Sequence, residues 1–225
     1  SLKGQKNLHA FDYMVSADPS SASFLIALTL LTPNSKLTIH NVLCNPNRIG
    51  FIKVLKEKMG ANIKIKNLKK ISEEQVGSII VKSSKLKSLN CPKDLIPSLI
   101  DELPILFVVA SLTKGVSKFT AINEATKKES NRIEEMRKIF SKLGIFCKST
   151  KDAMIINNKN NIKIKNKSVI VRTEGDHRIC MASTILALAT GAKITIKNFE
   201  TVNTSFPNFI SLIKSIGGKI EIQKK

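Results

Sequence analysis

Asp18-Pro19-Ser20-Ser21-Ala22-Ser23-Phe24-Leu25-Ile26-Ala27-Leu28 places an acid, a proline and two serines ahead of an apolar run. An acid at a helix start accepts orphan backbone N–H groups and favours the positive end of the dipole. Proline is at home in the first helical turn. The stretch therefore reads as a capped helix, and one apolar nearly all round is buried. The same order recurs in Asp101-Glu102-Leu103-Pro104-Ile105-Leu106-Phe107-Val108-Val109-Ala110 and in Asp176-His177-Arg178-Ile179-Cys180-Met181-Ala182. Short strands at residues 36–39, 118–121 and 193–196 end the three segments. Amphipathic helices at 49–60, 133–144 and 207–217 follow, each ending in the glycine that suits a left-handed cap. Asp18 to Gly60, Asp101 to Gly144 and Asp176 to Gly217 are separated by 42, 43 and 41 positions, a regularity that marks a threefold repeat.

Alternating patterns at 62–65, 78–81, 153–156, 168–171 and 219–222 read as strands. Each unit is thus βαβαββ. The expected fold is an α/β, inside-out arrangement of three βαβαββ repeats, with buried helices and peripheral sheets. It forms one domain over residues 1–225, with units near 10–90, 91–172 and 173–225. The third unit is one strand short, which implies completion by a strand from outside this chain. The Lys/Asn-rich stretches 64–76 and 157–167 read as solvated hairpins or loops.

At 225 residues and 24.8 kDa the chain is long enough to bury a sizeable core. Its apolar runs fall short of the roughly 18–20 residues of a membrane helix, so no membrane partner is expected. Cys44, Cys91, Cys147 and Cys180 are scattered, which reads as reduced thiols of a cytoplasmic protein. His9, His40 and His177 have no metal-ligand spacing, so no metal is expected. The net charge of +20 is spread along the chain, with no Trp and one Tyr to stack on bases. A dispersed, solvated surface explains the charge better than a nucleic-acid partner does.

Of the 37 Lys and Arg, five are arginine: 48, 132, 137, 172 and 178. In so Lys-rich a chain, Arg is expected where a planar, two-pronged donor is required. Arg132 closes Lys128-Glu129-Ser130-Asn131-Arg132, and Arg178 closes Gly175-Asp176-His177-Arg178. Both lie at helix starts, where the dipole favours anions. At helical spacing Lys128 and Arg132 share a face, with Glu129 pointing elsewhere, so an anion is needed between the two cations. Solvated or capping roles stand beside these readings. Asp18 and Asp176 read chiefly as caps, and Ser20 and Ser21 as capping residues or phosphate ligands. Asp101 reads equally as a cap or as one of a partly desolvated acid pair with Glu102. Arg48 and Arg132 each precede the helix-ending glycine by 12 positions, and Ser205 occupies that place in the third unit.

These stretches, together with Asn45-Pro46-Asn47-Arg48, Lys58-Met59-Gly60-Ala61 and Ser205-Phe206-Pro207, resemble the EPSP synthases, the 3-phosphoshikimate 1-carboxyvinyltransferases of the shikimate pathway. The resemblance implies a domain of the enolpyruvyl transferase type. It is the C-terminal one of two, whose active site lies in a cleft shared with an N-terminal domain. It implies transfer of the enolpyruvyl group of phosphoenolpyruvate to the 5-hydroxyl of shikimate 3-phosphate, with no cofactor. Matched by motif, Asp101 is the base or hydroxyl ligand and Glu129 the proton donor. Arg132 and Arg178 hold the phosphoenolpyruvate carboxylate, Lys128 adds charge, and His177 and Asp176 support them from behind. Three positions depart from the family's commoner residues: Thr126, Asn131 and Thr204. Family members carry either Lys or Thr at the last. UDP-N-acetylglucosamine enolpyruvyl transferases share the fold, and RNA 3′-phosphate cyclases use related repeats. The Lys-Glu-Ser-x-Arg and Gly-Asp-His-Arg pair favours the shikimate enzyme.

Overall fold

The computed structural model describes residues 4, 7, 9–159, 164 and 168–223. The first repeat runs α1 (Pro19–Leu31), β1 (Lys36–Leu43), α2 (Gly50–Lys53), β2 (Asn62–Ile71) and β3 (Glu74–Lys82). The second runs α3 (Leu103–Leu112), β4 (Gly115–Thr120), α4 (Arg132–Leu143), β5 (Cys147–Ser149) and β6 (Ala153–Asn158). The last elements are β7 (Ser168–Arg172), α5 (His177–Thr190), β8 (Lys193–Lys197) and α6 (Phe209–Ser215).

The apolar helices α1, α3 and α5 pack against one another at the centre. Phe24, Ile26, Phe107, Val108, Ile179 and Ile185 are all buried in one core. Few residues on these helices are polar, and most buried hydroxyls there bond to the backbone one turn back, though Ser183 does not. Thr29, Ser111 and Thr184 donate to the carbonyls of Leu25, Val108 and Cys180 one turn back. The sheets lie outside. β1-β3-β2 and β4-β6-β5 are antiparallel and share one strand order, while β7 and β8 pair in parallel.

One plan underlies all three units, because the segment before each central helix runs parallel to the strand after it. In the first two units that segment is reduced to single bridges, Ala17 to Val42 and Asn90 to Lys118. In the third it is the five-residue strand β7, paired along its length with β8. Residues 168–171, expected to close the second repeat, therefore belong beside the third. β5, which carries no alternating pattern, takes the place expected of them.

Two further expectations are corrected. Residues 219–222 form no strand; among the described residues no neighbour pairs with them, and an alternating pattern without a partner ladder leaves the backbone irregular. The helix expected over 49–60 is α-helical only to Lys53, and Val54–Lys58 widens into a π turn. Its closing glycine is as expected. Gly60, Gly144 and Gly217 have φ of 75°, 76° and 92°, in the left-handed region. The 64–76 stretch is a hairpin turning at Ser72 and Glu73, whereas most of 157–167 lies outside the described residues.

Candidate active site

Asp18 accepts from the N–H groups of Ser20 and Ser21, and Asp176 from those of Arg178 and Ile179, so both cap their helices. Asp101 does not. Leu99 to Glu102 form a tight turn before α3 begins at Leu103, and this frees the Asp101 carboxylate for other partners. α4 begins at Arg132, because the Asn131 side chain accepts from the Glu134 N–H and caps the helix there. Residues 128–131 are therefore not helical, and Lys128 and Arg132 share no helix face. The anion required between them is nonetheless present. Asp101 Oδ1 lies 3.2 Å from Lys128 Nζ and 3.0 Å from Arg132 Nη1.

Arg132 is the centre of the network. Its side chain is 1% exposed, and all three guanidinium nitrogens donate to carboxylates. Nε reaches Asp176 Oδ2 at 2.9 Å, Nη1 reaches Asp101, and Nη2 reaches Glu129 Oε2 at 2.5 Å. Glu129 thus faces Arg132 instead of pointing away, a consequence of the non-helical backbone before Asn131. Ser130 adds a hydrogen bond to Asp176 at 3.0 Å. Asp176 links two repeats, since one oxygen caps α5 and the other pairs with Arg132.

Arg178 lies beside this network. Its Nη1 donates to the Asp101 carbonyl at 3.1 Å and to Glu102 Oε1 at 3.3 Å, while Nη2 stands 3.8 Å from Asp101 Oδ2. Ser20, at the start of α1, acts to favour the ionised form of Glu102. Arg48 Nη2 meets Asp18 at 3.2 Å and Ser20 Oγ at 3.5 Å. The N-termini of α1, α3, α4 and α5 therefore converge. Four positive helix ends and four basic side chains meet five acids there, an arrangement suited to small anions and to proton transfer.

The titrating groups are displaced for identifiable reasons. Burial works to raise the Asp101 carboxyl, but Arg178, Lys128 and Arg132 outweigh it and hold it below its ordinary value. Burial pushes Glu102 up, against the pull of Ser20 and Arg178. His177 is lowered by burial and by Arg178, which favours the neutral ring. Asp101 is thus an ionised acceptor at neutral pH.

Lys128, Glu129, Arg132, Asp101, Asp176 and Arg178, singled out in the sequence, are brought together. His177 is half-buried next to them. Thr204 is exposed and donates to the Thr201 carbonyl at 2.7 Å. Sequence reasoning missed the roles of Ser130, Ser20 and Glu102; only the Asp101-Glu102 pairing hinted at a buried acid. Among the described residues no cluster of three or more His, Cys, Asp or Glu could hold a metal ion, and no helix is long and apolar enough to cross a membrane.

The family model for EPSP synthase (3-phosphoshikimate 1-carboxyvinyltransferase) matches residues 1–213. The 3-phosphoshikimate 1-carboxyvinyltransferase of Endomicrobium trichonymphae is 40% identical over 211 residues, covering 94% of this chain and 48% of the relative. That of Petrotoga mobilis is 42% identical over 212 residues, with the same coverage of each. The solved EPSP synthase of Acinetobacter baumannii superposes with a TM-score of 0.88 at 35% identity, over 93% of this chain and 48% of that one. The enolpyruvyl transferase NikO from Streptomyces tendae shares the fold alone, with a TM-score of 0.60 at 12% identity. The chain spans about half the length of the curated relatives it matches. A match of this extent, on a chain whose helix starts gather the residues its motifs contain, means that the chain belongs to the EPSP synthase family.

Proposed function

We propose that the four converging helix starts form one half of a carboxyvinyltransferase site, in the C-terminal domain of a two-domain cytoplasmic enzyme. The observation that carries this reading is the gathering of Lys128, Arg132 and Arg178 around Asp101, with Glu129 on Arg132. The substrates are phosphoenolpyruvate and shikimate 3-phosphate. The N-terminal domain faces this one across the cleft and supplies the remaining contacts to phosphate. The chemistry calls for no metal or organic cofactor.

The 5-hydroxyl of shikimate 3-phosphate donates to Asp101, whose ionised form suits an acceptor. Its oxygen bonds to C2 of phosphoenolpyruvate, the hydroxyl proton passes to the carboxylate, and C3 takes a proton from Glu129. C2 is then tetrahedral, bearing the ether oxygen, a carboxylate, a phosphate ester and a methyl group. Glu129 then takes back a methyl proton as the C2–O bond of the phosphate ester breaks, and inorganic phosphate leaves with the proton that Asp101 held, giving the enolpyruvyl ether and both carboxyl groups in their starting states. Arg178 is the readier clamp for the substrate carboxylate, because its Nη2 lies beyond hydrogen-bond distance of the nearest carboxylate oxygen. Arg132 accepts that carboxylate only when Glu129 leaves its Nη2. Substrate binding therefore exchanges one carboxylate for another and turns Glu129 toward the reacting carbon.

Phosphate release tests this reading. The chain alone is expected to show no turnover, and the chain joined to an N-terminal half of the family is expected to consume both substrates. Substantial turnover by the isolated chain would contradict the reading, as would an inactive joined protein that is fully folded.

A further inference from the structure

Glu102 is an acid of the cluster to which the family motifs assign no task. It is only 5% exposed, against 40% for the side chain of neighbouring Asp101. A carboxylate is rarely buried without partners that hold it. Its partner is Arg178 Nη1, from the third repeat. Glu102 and the Asp101 carbonyl, on consecutive residues, grip the same guanidinium nitrogen at 3.3 Å and 3.1 Å.

We infer that Glu102 is a positioning residue: it fixes the Nη1 edge of Arg178 and so aims the Nη2 edge at the substrate carboxylate. A guanidinium fixed along one edge loses less freedom when the other edge binds a ligand. Glu102 stands just before α3 and Arg178 at the start of α5, so the aim of the clamp depends on how those two central helices pack. Burial raises the Glu102 carboxyl, while Ser20 and Arg178 act to lower it.

The kinetic part of this inference rests on the function proposed above; the geometric part does not. In the joined enzyme, Glu102→Ala is expected to raise KM for phosphoenolpyruvate about tenfold, equivalent to about 1.4 kcal/mol. Glu102→Gln keeps an acceptor oxygen and is expected to recover most of that loss. Glu102→Asp, which keeps the charge and shortens the side chain by one methylene, is expected to raise the same KM two- to threefold, about 0.4–0.7 kcal/mol, and answers the question if Glu102→Ala does not fold. A purely structural role would lower Tm while leaving that KM within twofold in every folded variant, and such a result overturns the inference. Crystal structures of this chain give an answer independent of turnover. In Glu102→Ala the Arg178 guanidinium is expected to leave the Asp101 carbonyl, and in Glu102→Gln to stay. Arg178 unmoved in Glu102→Ala, or in Glu102→Asp should the first not fold, overturns the inference. Lack of turnover by the unsubstituted joined enzyme contradicts only the functional reading.

Discussion

Replacing Arg132 with alanine removes the group that neutralises the middle of the cluster. Its three carboxylate partners do not depend on it equally. The side chains of Asp101 and Glu129 are 40% and 47% exposed, so water takes over much of what the guanidinium supplied. Asp176 is 0% exposed and keeps only Ser130 and the cap N–H groups of α5. The loss is therefore that of one buried pair broken from one side, about 3–5 kcal/mol. For a chain of this size that lowers Tm by about 6–20 °C, at about 2–4 °C per kcal/mol. Urea unfolding followed by circular dichroism measures it, with Asp176→Asn as the second arm of a double-mutant cycle. Asparagine keeps an oxygen for the cap and removes the charge. The double variant is expected to be more stable than the sum of the single losses predicts, by at least about 1 kcal/mol. A loss below about 1 kcal/mol for Arg132→Ala, or strict additivity, would refute the argument that Asp176 dominates.

A Cβ at Gly50 would meet the Ser98 carbonyl oxygen at 2.6 Å and its carbon at 2.8 Å, so Gly50→Ala should cost about 1–3 kcal/mol in the same unfolding assay. Gly60 has open space but φ of 75°; Gly60→Ala should cost about 1 kcal/mol and Gly60→Asn markedly less. The Asp101 pKa is lowered on folding, so it contributes stability that is present above its ordinary 3.8 and lost as pH falls through its folded value. Asp101→Asn should flatten that acid limb. Glu102 is raised above 4.5 and has the opposite sign, its contribution being full below 4.5 and lost as pH rises through its folded value. The stability of Glu102→Gln relative to the unsubstituted chain should therefore improve from pH 4 to pH 7, and unfolding free energies across that range check it.

The repeat was legible because its marks are local. An acid, an apolar run and a closing glycine need no distant partner to be recognised, and Asp18, Asp176 and the three glycines behave as their spacing implies. What depended on partners far along the chain was not legible. β7 is an alternating strand by sequence, but nothing in it says that it pairs with β8 instead of the preceding sheet. Residues 219–222 carry the same pattern and form no strand. Lys128 and Arg132 meet the Asp101 carboxylate, but the helix expected to place them is absent, because the Asn131 cap starts α4 later. Glu102 stayed hidden for a related reason. Its holder lies at position 178, and only the packing of the central helices brings the two together.

Deuterium transfer to C3 of phosphoenolpyruvate tests the central claim most directly. In heavy water the exchangeable acid at Glu129 carries deuterium, and addition followed by elimination leaves part of it in the methylene of the enolpyruvyl ether. The joined enzyme with both substrates is expected to yield deuterated product at the rate of phosphate release. Its Glu129→Gln variant is expected to lose both signals by at least about 100-fold, the lower end of the usual contribution of a positioned acid. Deuterium incorporation at an undiminished rate in Glu129→Gln, with the protein folded, would contradict the assignment of this cluster as the proton-transferring half of the site.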